Sequence, residues 1–401
     1  MGDGTQVRRT TRWGAALVAA AVGLVACTPP PDGTSDGAGE PTEVVGDDQV
    51  RINQIQLLGS HNSYHLAPQP EVLFGLTVGG AILPELVGQL GDPAALDYTH
   101  APLPTQLARG LRTFELDIYA DPDGGRFVRP RIVDLLGLQT PVLPTGMEAP
   151  GFKVIHIADI DTNSSCTTLQ ACLGLLREWS DAHPGHLPIV VNLELKGDPL
   201  PVPAGLGFTP ILPFDGPLLD AVDAELRAAL GDRLMTPDDV RDGAGDLRTA
   251  VTTNGWPTVA EARGRFLVFM DNADLRDLYR VGRPTLEGRA MFTSSGEGQP
   301  DGAFLKVNDP GDGSRIRSLV EQGYMVRTRA DGVEPSDPPT AERRDTAFAS
   351  GAQVIHSDFP PGEPRWTGYV ATFGTRVHGR CNPVNTTPAT CTAAAVVEPA
   401  P

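Results

Sequence analysis

Thr113-Phe114-Glu115-Leu116-Asp117-Ile118-Tyr119 is the stretch whose reading decides the fold. Its aromatic and β-branched residues mark a buried strand, yet carboxylates interrupt it at 115 and 117. Side chains two apart on a strand share a face, so Glu115 and Asp117 point one way while Phe114, Leu116 and Ile118 point the other. Charge on the inner face of a buried strand belongs where an active site interrupts a core, which in a parallel barrel is the C-terminal end of the strands. Three further segments turn polar in the same way. Leu57-Leu58-Gly59-Ser60-His61-Asn62-Ser63-Tyr64-His65 does so as its apolar run stops, Val154-Ile155-His156-Ile157 carries one histidine, and Val191-Asn192-Leu193-Glu194-Leu195-Lys196 sets Asn192, Glu194 and Lys196 on one face.

Working outward, short apolar segments recur at Ile52–Leu58, Thr113–Tyr119, Lys153–Ile157, Ile189–Leu195, Phe266–Met270, Tyr324–Thr328 and Gln353–Ser357. Between several of them lie helical patterns: Thr105–Gly110, Thr167–His183, Pro217–Leu230, Arg315–Gln322 and Arg343–Ser350, the long ones with apolar residues at three and four spacing. Strands alternating with helices imply a parallel sheet. No repeat or internal linker divides residues 50–380, so the expectation is an α/β fold, a single TIM-type (β/α)8 barrel with insertions.

The 401 residues are 40% hydrophobic, with a formal net charge of −18, and offer no electrostatic footprint for nucleic acid. Arg8, Arg9 and Arg12 precede an apolar run from Trp13 to Ala26 that is too short to span a bilayer and ends at Cys27, the pattern of an export signal over residues 1–26. Leu24-Val25-Ala26-Cys27 resembles a bacterial lipobox, which implies acylation of Cys27 and a lipoprotein on the outer face of the cell membrane. Residues 27–49 are polar and rich in Pro and Gly, as in a disordered tether. Four cysteines remain, an even set in an exported chain, and proximity pairs Cys166 with Cys172 and Cys381 with Cys391, the latter in a C-terminal tail over 381–401. A monomer is expected.

Three carboxylates in one mouth raise each other's proton affinity unless a cation compensates. Glu115, Asp117, Glu194 and the amide oxygen of Asn62 form an all-oxygen set suited to Ca2+ or Mg2+ rather than zinc. His61 and His156 are left for proton transfer. The other histidines read more plainly: His65 as a solvent-facing loop residue, His100 as a candidate for the pocket wall, His183 and His186 as helix C-terminal partners, His356 as a hydrogen-bonded core histidine, and His378 as part of the tail. Lys153, at the start of its strand, reads as a surface charge.

The order His-Asn, Glu-x-Asp, His, Glu-x-Lys on successive strands resembles the phosphoinositide-specific phospholipase C superfamily. The runs Gly59–Tyr64, Tyr324–Asp331 and Ala349–Gln353 are similar to its calcium-dependent, secreted bacterial branch. The resemblance spans about residues 52–360. It implies Ca2+ held by Asn62, Glu115, Asp117 and Glu194, catalysis by His61 and His156, and contact with substrate phosphate or ring hydroxyls by Lys196, Arg327 and Arg329. The implied reaction is attack of an inositol hydroxyl on the adjacent phosphorus of phosphatidylinositol, with diacylglycerol leaving and an inositol cyclic phosphate forming. A glycerophosphodiester phosphodiesterase is the nearest competing enzyme, though its first motif usually reads His-Arg-Gly where this chain has His61-Asn62-Ser63. A non-catalytic, lipid-anchored inositol-headgroup binding protein is the competing reading of another class.

Overall fold

The computed structural model describes residues 45–82, 92–139, 145–200, 202, 205–332, 338–363, 368–375 and 377–399. The export signal, Cys27 and nearly all of the tether lie outside them. Eight parallel strands form the barrel: β1 (Ile55–Ser60), β2 (Thr113–Asp121), β4 (Ile189–Leu195), β5 (Phe266–Met270), β6 (Phe292–Thr293), β7 (Phe304–Lys306), β8 (Met325–Arg329) and β9 (Val354–Ser357). They lie in the order β6-β5-β4-β2-β1-β9-β8-β7, and a single parallel bridge, Ser294 to Phe304, links the two ends. The fold is therefore a nearly closed TIM-type barrel, as the alternation of segments predicts. β6 and β7 escape the sequence reading because two or three residues are too few to display a period.

Helices of the expected amphipathic kind cover the barrel. Leu169–Ala182 starts on a Thr168 cap whose hydroxyl accepts from the Ala171 amide, and Gly216–Leu230 starts on Asp215, which accepts from the Leu218 amide. Leu169, Leu173, Leu176, Leu219, Val222 and Leu226 bury the inner stripes of this pair against the barrel. Where β1 meets β2, a Cβ on Gly59 would lie 1.7 Å from the Thr113 carbonyl oxygen, so only glycine permits the approach.

One expected barrel strand is not in the barrel. β3 (Gly151–Val154) runs antiparallel to β2, with Ile118 opposite Val154 and Asp121 opposite Gly151. β2 is longer than its parallel neighbour requires: residues 113–118 pair with β4, and the overhang receives β3. The return direction brings the chain back to the level of Asp117, and His156 follows Val154 by two residues. Strand direction is invisible in a four-residue segment, which explains the misreading. Lys153, expected at the surface, is fully buried with Nζ 3.1 Å from Asp121 Oδ2, because its strand lies over that overhang.

The opposite, N-terminal end of the barrel is closed by the tail. β10 (Arg380–Cys381) pairs antiparallel with β1, and disulfides join Cys166 to Cys172 and Cys381 to Cys391 as proximity suggests. Cys166 lies ahead of the helix at a Cα–Cα distance of 5.2 Å from Cys172, so the short loop closes without breaking the helix. Arg112 at the start of β2 donates to Glu398 and to the carbonyls of Leu107 and Leu111.

Candidate active site and calcium site

The polar ends of β1, β2, β4, β8 and β9 meet at one mouth, as parallel strands require. The loop after β1 is held rigidly: Ser63 Oγ accepts from the Glu115 amide, the Ser63 amide donates to the Glu115 carbonyl, and Gln106 bonds Ser60 Oγ and the Ser63 carbonyl. This leaves Asn62 in the left-handed region at φ +47°, a conformation that asparagine tolerates better than most residues. Its Nδ2 donates to the Tyr98 hydroxyl at 3.0 Å, and its buried Oδ1 has no hydrogen-bond partner.

Glu115, Asp117 and Glu194 each bring a carboxylate oxygen within 4.8 Å of the others. Both buried Asp117 oxygens lack a hydrogen-bond donor, although Lys196 Nζ stands 3.1 Å from Oδ2 and 2.7 Å from Glu194 Oε1. Burial pushes the Asp117 carboxyl well above its ordinary range, against the pull of Lys196 and with the help of the neighbouring carboxylates. A hard cation answers both problems: it would fill the orphaned oxygens of Asn62 and Asp117 and remove the cost of ionising Asp117. The residues fit Ca2+. Glu115 differs from Asp117 in being already paired. Arg327 donates to its Oε2 at 2.6 Å and His356 Nδ1 lies 3.0 Å away; against burial, the Arg327 charge, then His61 and the His356 hydrogen bond, hold the carboxyl well below its ordinary range.

Two histidines line the mouth, each with an aspartate behind it. His61 Nδ1 lies 2.7 Å from Asp358 Oδ1, which directs Nε2 toward Glu115, 3.8 Å away. His156 Nδ1 lies 2.8 Å from Asp161 Oδ2. Their side chains are 17% and 20% exposed, enough to meet a ligand. Burial lowers the affinity of His156 for a proton and Asp161 partly restores it. Arg329 binds Asp358 and reaches His61 Nδ1 at 3.3 Å.

All nine expected catalytic, metal and phosphate-contacting residues thus reach the mouth, but the three cations are engaged with its acids. Arg327 is buried on Glu115, His356 and Asn308, whereas Lys196 and Arg329 keep partial exposure. His65 is not solvent-facing: it is fully buried, with Nε2 2.7 Å from Asp161 Oδ2 and Nδ1 3.0 Å from the Tyr98 carbonyl. The loop that carries it folds inward to bond residues 163–165, a tertiary contact that a polar loop sequence does not announce. His100 is buried, bonded to Glu363 and to the His61 carbonyl, and so steadies His61 from behind. His356 reaches both the core and the site through Glu115. Sequence reasoning missed Asp161 and Asp358. Both had a signal, since each is an acid closely following a strand-end histidine.

Residues 50–383 match the family described as phosphoinositide phospholipase C, Ca2+-dependent. Among solved structures, a calcium-dependent phosphoinositol-specific phospholipase C from a Pseudomonas species, in a myo-inositol complex, is similar with a TM-score of 0.50 and 16% identity over 84% of this chain and 96% of that one. The Ca2+-dependent phosphatidylinositol-specific phospholipase C of Streptomyces antibioticus gives a TM-score of 0.48 and 18% identity over 77% and 95%. No curated protein matches. The match over residues 50–383 covers most of the chain, and with the barrel and its acidic mouth it leads to one conclusion: this protein belongs to the Ca2+-dependent phosphoinositide phospholipase C family.

Proposed function

We propose that the protein cleaves phosphatidylinositol to diacylglycerol and an inositol cyclic phosphate at this mouth. Three carboxylates and two aspartate-backed histidines converging there carry the reading. Asn62, Glu115, Asp117 and Glu194 would hold the ion, and Ca2+ bound there would supply positive charge to acidify the inositol hydroxyl and offset the charge of the phosphoryl oxygens. His61, with Nδ1–H donated to Asp358, has Nε2 free to take the hydroxyl proton. His156, with Nδ1–H donated to Asp161, presents Nε2–H to the departing glycerol oxygen. Lys196 and Arg329 meet the phosphate with their exposed edges, while Arg327 holds Glu115 in place. An internal nucleophile needs no ordered water, a gain of proximity.

The headgroup is unphosphorylated inositol in this reading, because Lys196, Arg327 and Arg329 are all paired with carboxylates and leave little charge for further phosphates. Phe74 and Leu136 are exposed on segments following β1 and β2, at the same end of the barrel as the site, and give it an apolar rim toward lipid. Acylation at Cys27 and a tether through residue 49 would keep the protein, a monomer, at the outer face of the cell membrane. Loss of incorporated fatty acid in Cys27→Ser is the test of the anchor.

Release of water-soluble inositol phosphate from phosphatidylinositol in mixed micelles, with Ca2+ and with chelator, tests the activity. Calcium-dependent release that disappears in His61→Ala supports the reading. Glycerol phosphate released from deacylated lipids without inositol preference would favour a glycerophosphodiesterase, and calcium-dependent headgroup binding without release would favour a binding protein.

A further inference from the structure

We propose that His65 and Asp161 form a positioning pair that fixes the tautomer and aim of His156, so that its proton is delivered to the leaving oxygen. The proposal rests on the phospholipase reading above and adds His65, which that reading leaves without a part, to the Asp161 that stands behind His156. Asp161 Oδ2 is shared: His65 Nε2 lies 2.7 Å from it and His156 Nδ1 2.8 Å. Asp161 and His65 are fully buried, whereas His156 keeps an open edge. The direction of influence therefore runs from the interior outward.

The backbone builds the arrangement from both sides. The Ile157 amide donates to the Asp161 carbonyl and the Asp161 amide returns to the Ile157 carbonyl, closing a tight turn that sets Asp161 beside His156; Asp159 within it takes φ +64°. The loop from β1 is laced to the next residues, with Leu66 N–H donating to the Asn163 carbonyl and Ser165 N–H to the Tyr64 carbonyl. His65 has almost no freedom inside this frame. Its ring stacks on Tyr98 at 3.9 Å, and both of its nitrogens face oxygens that can only accept, so the Nδ1–H donates to the Tyr98 carbonyl and the Nε2–H to Asp161 Oδ2.

The consequence for chemistry is specific. A carboxylate on Nδ1 of His156 keeps the hydrogen there, so the second proton of the charged ring sits on Nε2. In the reaction the inositol hydroxyl gives its proton to His61, its oxygen bonds to phosphorus, and the bond from phosphorus to the glycerol oxygen breaks. That oxygen keeps the electron pair and takes the proton from His156 Nε2. Glycerol oxygen is strongly basic and needs this proton; 4-nitrophenolate is far less basic and leaves without it. A defect in the aim of His156 must therefore depend on the leaving group, whereas a general loosening of the barrel must not.

The experiment compares kcat on phosphatidylinositol in mixed micelles with kcat on 4-nitrophenyl inositol phosphate, for the full chain with Ca2+ and for Asp161→Asn, His65→Leu and His65→Gln. We expect Asp161→Asn and His65→Leu to lose about 100-fold on the lipid and less than about fivefold on the nitrophenyl ester. His65→Gln, which retains an N–H near the Nε2 position, should recover most of the lipid activity. Retained ester turnover doubles as proof that each variant is folded and its mouth intact. Equal fractional losses on both substrates, or full lipid activity in His65→Leu, would overturn the proposal. No turnover of either substrate by the unmodified chain would overturn the phospholipase reading and this proposal with it.

Discussion

The two ends of the barrel both bury charge, and they do so differently. At the closed end, Arg112 lies under Trp179, 4.8 Å from the ring centroid to the guanidinium carbon, and donates to Glu398 and two carbonyls. Burial would raise the Glu398 carboxyl, but these bonds outweigh it and hold the group below its ordinary range. At the mouth, Asp117 faces Lys196 with both oxygens short of donors, Asn62 Oδ1 is unpartnered, and burial wins, lifting Asp117. The lesson is that burial of charge does not by itself mark a site. Satisfied charge is architecture, and unsatisfied charge is an invitation to a ligand.

That contrast can be broken at several points. The largest effect is expected at the mouth: His61→Ala should lower inositol phosphate release by about 10,000-fold, or ~5 kcal/mol, while calorimetry shows Ca2+ still binding. Retained release would end the assignment of proton transfer to His61. At the closed end, Arg112→Ala should cost about 4 kcal/mol in urea unfolding, since it leaves the buried Glu398 carboxylate only the Leu187 amide and His378, yet leave turnover per folded molecule unchanged. A changed kcat there would show that the two ends are not separate in function.

The third prediction concerns pH. Burial holds the His186 imidazole, bonded to Ser180 and the Leu187 carbonyl, down at about 4 against an ordinary 6.5. Between those values the unfolded chain binds a proton that the folded chain refuses, so this contribution is present at neutral pH and is lost as pH falls from 6.5 to 4. His186→Gln should flatten the stability profile in that window by at most about 3 kcal/mol, read as melting temperature against pH. An unchanged slope would place the titration elsewhere. The smallest effect is expected from Glu194→Gln. Glu194 is the most exposed carboxylate of the three, with its side chain 32% accessible, and its loss should weaken Ca2+ binding by about tenfold in calorimetry. A loss as large as that of Asp117→Asn would mean that exposure does not rank the ligands.

Much of the site was legible before the fold because it lies on strands. The period of two places Glu115 with Asp117, and Glu194 with Lys196, on shared faces whatever the neighbours do. His61 and Asn62 were legible as the point where an apolar run turns polar. What supports these residues was legible only as a hint, an acid soon after a strand-end histidine: the bonds of His65 to Asp161 and of His61 to Asp358 span 96 and 297 residues. No local pattern encodes a hydrogen bond of that range.

The sequence by itself therefore determined the strand and helix alternation, the disulfide pairing by proximity, the acidic oxygen set and the two histidines, all of which depend on local period, spacing and chemical type. Only the tertiary structure decided that β3 turns antiparallel on the overhang of β2, that Lys153 and His65 are buried, that Arg327 is spent on Glu115, and which aspartate stands behind each histidine. Those depend on which surfaces meet once the chain closes into a barrel, and burial, not residue type, then sets what each charge must find as a partner.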